Sequence, residues 1–259
     1  MLEPQRVVSL APSNTQIVLG LGLQDRLVGC TRFCPKFDAK KSPVIVGGWL
    51  DIDFDKVVEL KPSVVLTSGF LQDEIVAKLK ELKLHVVHVD PKDLAQVLES
   101  FGEIGAALGE EGSGRKLRHL LEKQLRDIRN KTLRLPKRRV YVEEWHKPPM
   151  ASGNWVPELV EAAGGISGLC RPRQRSVPVT TAQVVSYDPE IIVAAWCGFC
   201  GKEDLGVIRS RPGWENVSAI KTGRVHSLDD NYLNSPDPRL GLGAKKLTQL
   251  IHGERLGLA

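Results

Sequence analysis

The chain has 259 residues, a net charge of +5, 42% hydrophobic and 26% charged residues, an ordinary balance for a soluble globular protein with room for two domains or one large one. Basic residues gather in Arg115 to Arg139 and Arg171 to Arg175, but the first group alternates with apolar residues at helical spacing. That pattern is a solvated helix face and not a nucleic-acid surface. No stretch approaches the apolar length of a membrane span.

The opening Met1-Leu2-Glu3-Pro4-Gln5-Arg6 runs straight into a first strand, Val7-Val8-Ser9-Leu10. It shows no secretory leader pattern, so the sequence as it stands predicts a cytoplasmic protein, or an extracytoplasmic one whose leader has been removed. Ser13 or Asn14 is placed to cap a helix from Gln16 to Leu21, which Gly22 ends. Leu27 to Cys30 is a short strand, and Cys34-Pro35 begins a polar loop. Pro43-Val44-Ile45-Val46 leads to a loop presenting Trp49. Asp53 precedes a helix at Phe54–Leu60, Val64–Leu66 is a strand, Gln72 to Leu82 an amphipathic helix, and His85 to Val89 a strand.

Leu94 to Leu108 is helical. Gly112-Ser113-Gly114 is expected to break it before a second, long helix of about 114–134 with a charged outer face. A strand follows at Arg139 to Glu143, then a loop over 144–155, a helix at Val156 to Ala163, a last strand at Gly223 to Leu228, a loop from Asp229 to Pro238, and a terminal helix from Leu240 to His252.

The chain also repeats itself. Val57-Val58-Glu59-Leu60-Lys61-Pro62-Ser63-Val64-Val65-Leu66 and Val184-Val185-Ser186-Tyr187-Asp188-Pro189-Glu190-Ile191-Ile192-Val193 each read as helix end, proline break and buried strand. Their offset is constant (184 − 57 = 189 − 62 = 191 − 64 = 127). The β-branched runs suit strands covered on both faces of a parallel sheet. These features predict an α/β protein with two Rossmann-like lobes, each built on a central, mainly parallel sheet: an N-terminal lobe at 1–109, a connecting long helix at 110–136 and a C-terminal lobe at 137–259. Ligands of such sheets bind at the carboxyl ends of the strands.

Five segments in order, Ser9 to Thr15, Asp53 to Leu66, Pro149 to Asn154, Arg211 to Val217 and Asn234 to Leu240, resemble the cobalamin- and siderophore-type periplasmic solute-binding proteins. Arg32-Phe33-Cys34-Pro35, Gly153 to Leu159 and Trp196 to Phe199 resemble a cobalamin-binding subgroup whose members often lack a signal peptide. The resemblance covers essentially the whole chain. It implies two lobes bridged by one rigid helix, little hinge motion, and a non-enzymatic role in holding a corrinoid or related metal chelate in a cleft, for delivery to an ABC permease by a monomer. Haem, a siderophore and a bare metal fit the same expectation.

Under this resemblance the ligand-binding candidates are Ser13, Asn14, Trp49, Ser68, Trp145, Trp196 and Tyr232. Aromatic faces suit a planar, largely apolar ligand; Trp49 and Trp196 are expected to face it, and Trp155 and Trp214 to fill cores. Ser68 stands where the family has an aromatic residue. Cys34 and Cys197 are candidate soft-metal or axial ligands, with Cys30 and Cys200 nearby in sequence and Glu144 and His146 as alternatives; buried or incidental thiols are the competing reading. Asp73 and Glu74, with Glu203 and Asp204 in the matching place, are candidate permease-docking carboxylates, or simply favourable charges at helix starts. No P-loop, nucleophile elbow or dinucleotide fingerprint is present. Cysteine-dependent catalysis at Cys197 is the one enzymatic alternative.

Overall fold

The computed structural model describes residues 5–37 and 42–256; the opening Met1-Leu2-Glu3-Pro4, read above for a leader, lies outside them. The chain divides into two compact units. The first holds residues up to Pro91 together with Leu98–Leu120, and the second Lys92–Val97 together with the chain from Leu121 onward.

In the first unit, β1 (Val7–Ser9), β2 (Leu27–Cys30), β3 (Val44–Ile45), β4 (Val64–Ser68) and β5 (Val86–Val89) form a five-stranded sheet in the order β3-β2-β1-β4-β5, every pairing parallel. Val8, Leu10 and Val65 of the central strands pack with Val57 of α2 (Phe54–Glu59) and with Ile75 and Leu79 of α3 (Asp73–Glu81). The helix α1 (Pro12–Gly20) starts earlier than the capping signal suggested. Proline occupies its first turn and Ala11 its N-cap, with no side-chain cap; Pro12 leaves one fewer unsatisfied N–H at the helix start, and its fixed φ suits the first helical position.

The helices α4 (Leu94–Ala107) and α5 (Glu111–Thr132) correct a second expectation, for Gly112-Ser113-Gly114 lies inside α5. The break falls at Gly109, whose φ of 70° is left-handed. Gly114 serves packing: a Cβ there would stand 2.7 Å from Phe101 O, and one on Gly105 2.9 Å from Gly114 Cα. Two glycines thus let the backbones of α4 and α5 touch.

In the second unit, β6 (Arg138–His146) pairs in parallel with β10 (Ile191–Ala194), which pairs in parallel with β11 (Val225–Ser227). β6 is longer than expected. Beyond Glu143 it turns back through Lys147-Pro148 onto β7 (Pro149–Ala151), antiparallel, and β7 pairs with β9 (Val177–Pro178). A short β8 (Gly165–Ser167) pairs with the start of β6. The core gathers Tyr141, Val184, Ile192, Trp196, Ile208 and Trp214.

The sequence repeat is a structural repeat. α2 and α7 (Thr181–Tyr187) each lead into a residue in the left-handed region directly before proline, Lys61 at φ 45° and Asp188 at φ 46°, and then into the central-sheet strands β4 and β10. The remaining helices are α6 (Val156–Ala162), α8 (Gly206–Arg209), α9 (Ser218–Lys221) and α10 (Leu240–Leu256). Among the described residues no helix is long and apolar enough to cross a membrane.

Candidate functional site

In both units the sequence-predicted site residues lie at the carboxyl ends of the parallel strands, on strand ends, on helix starts and in the loops between them.

In the first unit, three of these loops converge on Gln72, a fully buried amide the sequence reading did not single out. Its Oε1 accepts from Ser68 N at 2.8 Å, and its Nε2 donates to Leu10 O at 2.9 Å and Trp49 O at 2.8 Å. One side chain thereby ties the ends of β1 and β4 to the Trp49 loop. Trp49 is half-buried, and its Cζ2 would lie 4.0 Å from a Cβ on Gly69, a residue at φ 79°. Ser13, Asn14 and Ser68 are buried. Asn14 Nδ2 donates to Thr67 O at 2.9 Å, while its Oδ1 has no partner among the described residues. Asp73 and Glu74 are exposed on the first turn of α3, Asp73 lying 3.6 Å from His88 Nε2.

Arg32 holds Asp51 at 2.6 Å and lies 5.2 Å from the exposed Phe33 ring. Cys34 is half-buried, with Thr15 Oγ1 at 3.0 Å and Thr31 Oγ1 at 3.3 Å from its sulfur. A hydrogen bond from the Cys30 thiol and those two hydroxyls bring Cys34 down to about 6, while donation to Cys34 and burial push Cys30 upward. The donors stabilise a thiolate on Cys34 and leave the proton on Cys30.

In the second unit the alternation of β6 sends Glu143 and Glu144 to opposite faces. Glu143 is 0% exposed. It accepts from Arg211 at 2.6 and 3.0 Å, from Tyr141 Oη at 2.9 Å and from Trp196 Nε1 at 3.0 Å. This corrects the expectation for Trp196, which is buried in the core and has its indole N–H committed to Glu143. Burial and the Glu143 charge push Tyr141 well up. Trp155 and Trp214 are buried as well, Trp155 donating to Leu233 O at 2.7 Å.

Glu203 is a second correction. It is buried, accepting from Trp196 N at 3.3 Å and from the Ser227 hydroxyl. A carboxylate so engaged is not a surface docking charge. It joins the ends of β10 and β11 much as Gln72 joins loops in the first unit. Asp204 is exposed and accepts from Gly206 N at 2.9 Å, ahead of α8.

The exposed aromatic of this unit is Trp145, at 37%. It forms a cluster with His146 at 5.1 Å and Phe199 at 6.1 Å, and His146 lies 4.3 Å over Trp196. Phe199 belongs to the loop after β10. That loop is fastened by Asp230, whose two oxygens accept from Gly198 N and Cys200 N at 3.0 Å each, and by Asn234, whose Nδ2 donates to Ala195 O at 2.7 Å. Tyr232, half-buried on the same segment, has Lys246 Nζ 5.3 Å from its ring centroid.

Glu144 accepts from the Ser176 hydroxyl and, at 3.8 Å, from the Cys197 thiol; burial pushes its carboxyl above the usual carboxylate range. Burial and the charges of Glu144 and Asp230 push Cys197 up to about 12, and Cys200 shifts in the same direction. Both are protonated thiols near neutrality, which makes them poor nucleophiles and poor metal ligands. Cys200, Asp229 and Asp230 do bring three potential ligand atoms within 4.8 Å. The Asp230 oxygens, however, already accept from two backbone amides, and Asp229 Oδ1 from Asn231 N and Nδ2 at 2.9 Å.

The periplasmic binding protein family model matches residues 7–232. An uncharacterized ABC transporter substrate-binding lipoprotein, YvrC of Bacillus subtilis, is 29% identical over 96% of this chain and 81% of its own length. A vitamin B12-binding protein of Vibrio cholerae is 24% identical over 91% of this chain and 84% of its own. The solved periplasmic heme-binding protein RhuT from Roseiflexus superposes with a TM-score of 0.80 at 20% identity, over 95% of this chain and 97% of that one. A lipoprotein and a periplasmic protein among these relatives overturn the expectation of a cytoplasmic location. Together with the doubled α/β architecture, the match over most of its length shows that this chain belongs to the periplasmic binding protein family.

Proposed function

We propose that the protein is an extracytoplasmic solute-binding protein that holds a corrinoid or related planar metal chelate at the carboxyl-end loops of its sheets and passes it to an ABC permease. The observation that carries this reading is the Trp145–His146–Phe199 cluster, an aromatic face made by the end of β6 and by a loop held by Asp230 and Asn234. Half-exposed aromatic rings on a loop fixed by buried polar anchors suit a large apolar ring system, and prepaid loop ordering favours binding. Trp49, half-buried beside Gly69, is the aromatic ring at the strand ends of the first unit. The name of the Vibrio relative supports a corrinoid and that of the Bacillus relative a transporter partner. Asp73, Glu74 and Asp204 are the carboxylates left exposed for docking on permease arginines.

The test is a calorimetric titration with cobalamin, cobinamide and haem. A dissociation constant below roughly 100 μM, about −5.5 kcal/mol, is expected for a corrinoid, with Trp145→Ala weakening it. Failure of all three to bind at that level refutes the chelate assignment, and haem binding alone moves the ligand from corrin to porphyrin.

A further inference from the structure

We propose that Cys30 and Cys34 form a redox-active pair, converted by a low-molecular-weight disulfide such as oxidised glutathione into an intramolecular disulfide that locks the turn carrying Arg32 and Phe33. Cys30 is the last residue of β2 and is buried. Thr31-Arg32-Phe33-Cys34 then folds back as a β-turn, Cys34 N donating to Thr31 O at 3.1 Å. The fold-back returns Cys34 towards the end of β2, where the Cys30 thiol is among the groups that hold the Cys34 thiol down.

The surroundings divide the labour. Cys34 is partly exposed and its sulfur faces the hydroxyls of Thr15 and Thr31. Thr15 is itself placed by Ser9 Oγ at 2.8 Å. With the Thr15 proton given to Ser9 Oγ, the Thr31 hydroxyl is the one placed to donate to the Cys34 sulfur, which favours its anionic, nucleophilic form. Cys30 is shielded from solvent.

The chemistry balances. The Cys34 thiolate attacks one sulfur of the small disulfide, forms a mixed disulfide and expels one thiolate. Cys30 then gives up its proton to solvent or to that thiolate and attacks Cys34 Sγ, expelling the second. The protein loses two hydrogens and two electrons; the small disulfide gains both and becomes two thiols. Closure pins a turn that already touches the neighbouring loops through Arg32 N to Gly47 O at 2.9 Å and Arg32 to Asp51. The redox state would then set the stiffness of the segment leading to Trp49.

Wild-type protein incubated natively with oxidised glutathione, quenched with acid, alkylated in denaturant and cut with trypsin decides the matter. Cleavage after Arg26, Arg32 and Lys36 separates Leu27–Arg32 from Phe33–Lys36, so only a disulfide holds them together. The expected result is that linked pair, with alkylation of both cysteines falling at least tenfold. Full alkylation of both, a link to any other cysteine, or glutathione stalled on Cys34 of the wild type overturns the proposal. Cys30→Ser, where it folds, is expected to stall there, retaining one glutathione on Cys34; failure to do so also overturns the assigned order of attack.

Discussion

Replacing Arg211 by methionine isolates the energetic centre of the second unit. Glu143 is fully buried and receives four hydrogen bonds, two of them from Arg211. Arg211 also lies 4.3 Å from the Trp214 ring centroid. Arg211→Met keeps much of the apolar stem but leaves Glu143 with Tyr141 and Trp196, which are neutral donors. An uncompensated buried carboxylate of this kind costs about 3–5 kcal/mol. The double variant Glu143→Gln/Arg211→Met removes both charges, and its cost is expected to fall below that of Arg211→Met alone, giving a coupling of about 2 kcal/mol or more. Urea unfolding followed by tryptophan emission is well suited, because four of the five tryptophans, at 145, 155, 196 and 214, lie in this unit. A cost under about 1 kcal/mol for Arg211→Met, or a double variant as costly as the sum of the singles, would refute the reasoning.

Two other outcomes follow from the first unit and the thiols. Gln72→Leu strands Ser68 N, Leu10 O and Trp49 O, so it is expected to cost about 1–3 kcal/mol and to hasten tryptic cleavage at Arg32; a thermal melt equal to wild type contradicts this. Alkylation of Cys34 by iodoacetamide is expected to fall as pH drops through about 6 and to level off above it, whereas Cys197, which ionises near 12, keeps rising in rate to pH 10; the reverse order would reject the environments assigned to both sulfurs.

The repeat was legible because proline and β-branched residues act locally: Pro62 and Pro189 end helices, and Val64–Leu66 and Ile191–Val193 can only be strands covered on both faces. Packing erased other local signals. Gly112 and Gly114 weaken an isolated helix, yet Gly114 is what allows α5 to meet Phe101 and Gly105 of α4. Trp196 could not be told from Trp145 by composition, since both follow buried strand residues. The difference lies in Glu143, more than fifty residues away from Trp196 and bonded to it. Glu203 read as a surface charge for the same reason, its partner Ser227 being remote in sequence. Gln72, four residues after Ser68, offered only the faint signal of an amide amid apolar and acidic neighbours.

The fastenings of the two units differ in chemistry. In the first unit the converging loops hang on the amide of Gln72, which has no proton to gain or lose across the ordinary pH range. In the second, the loop after β10 hangs on Asp230, and the neighbouring Glu144 holds Ser176 and Cys197; burial raises both carboxyls. A carboxyl raised by burial takes its proton earlier as pH falls, and a protonated carboxyl is a weaker acceptor for amide N–H groups than a carboxylate. Falling pH therefore acts on the two fastenings differently: protonation of Asp230 slackens the grip on Gly198 and Cys200, while the Gln72 amide keeps the Trp49 loop tied. The tie made by Gln72 is indifferent to acid and the tie made by Asp230 responds to it, though both close loops that follow the same repeat.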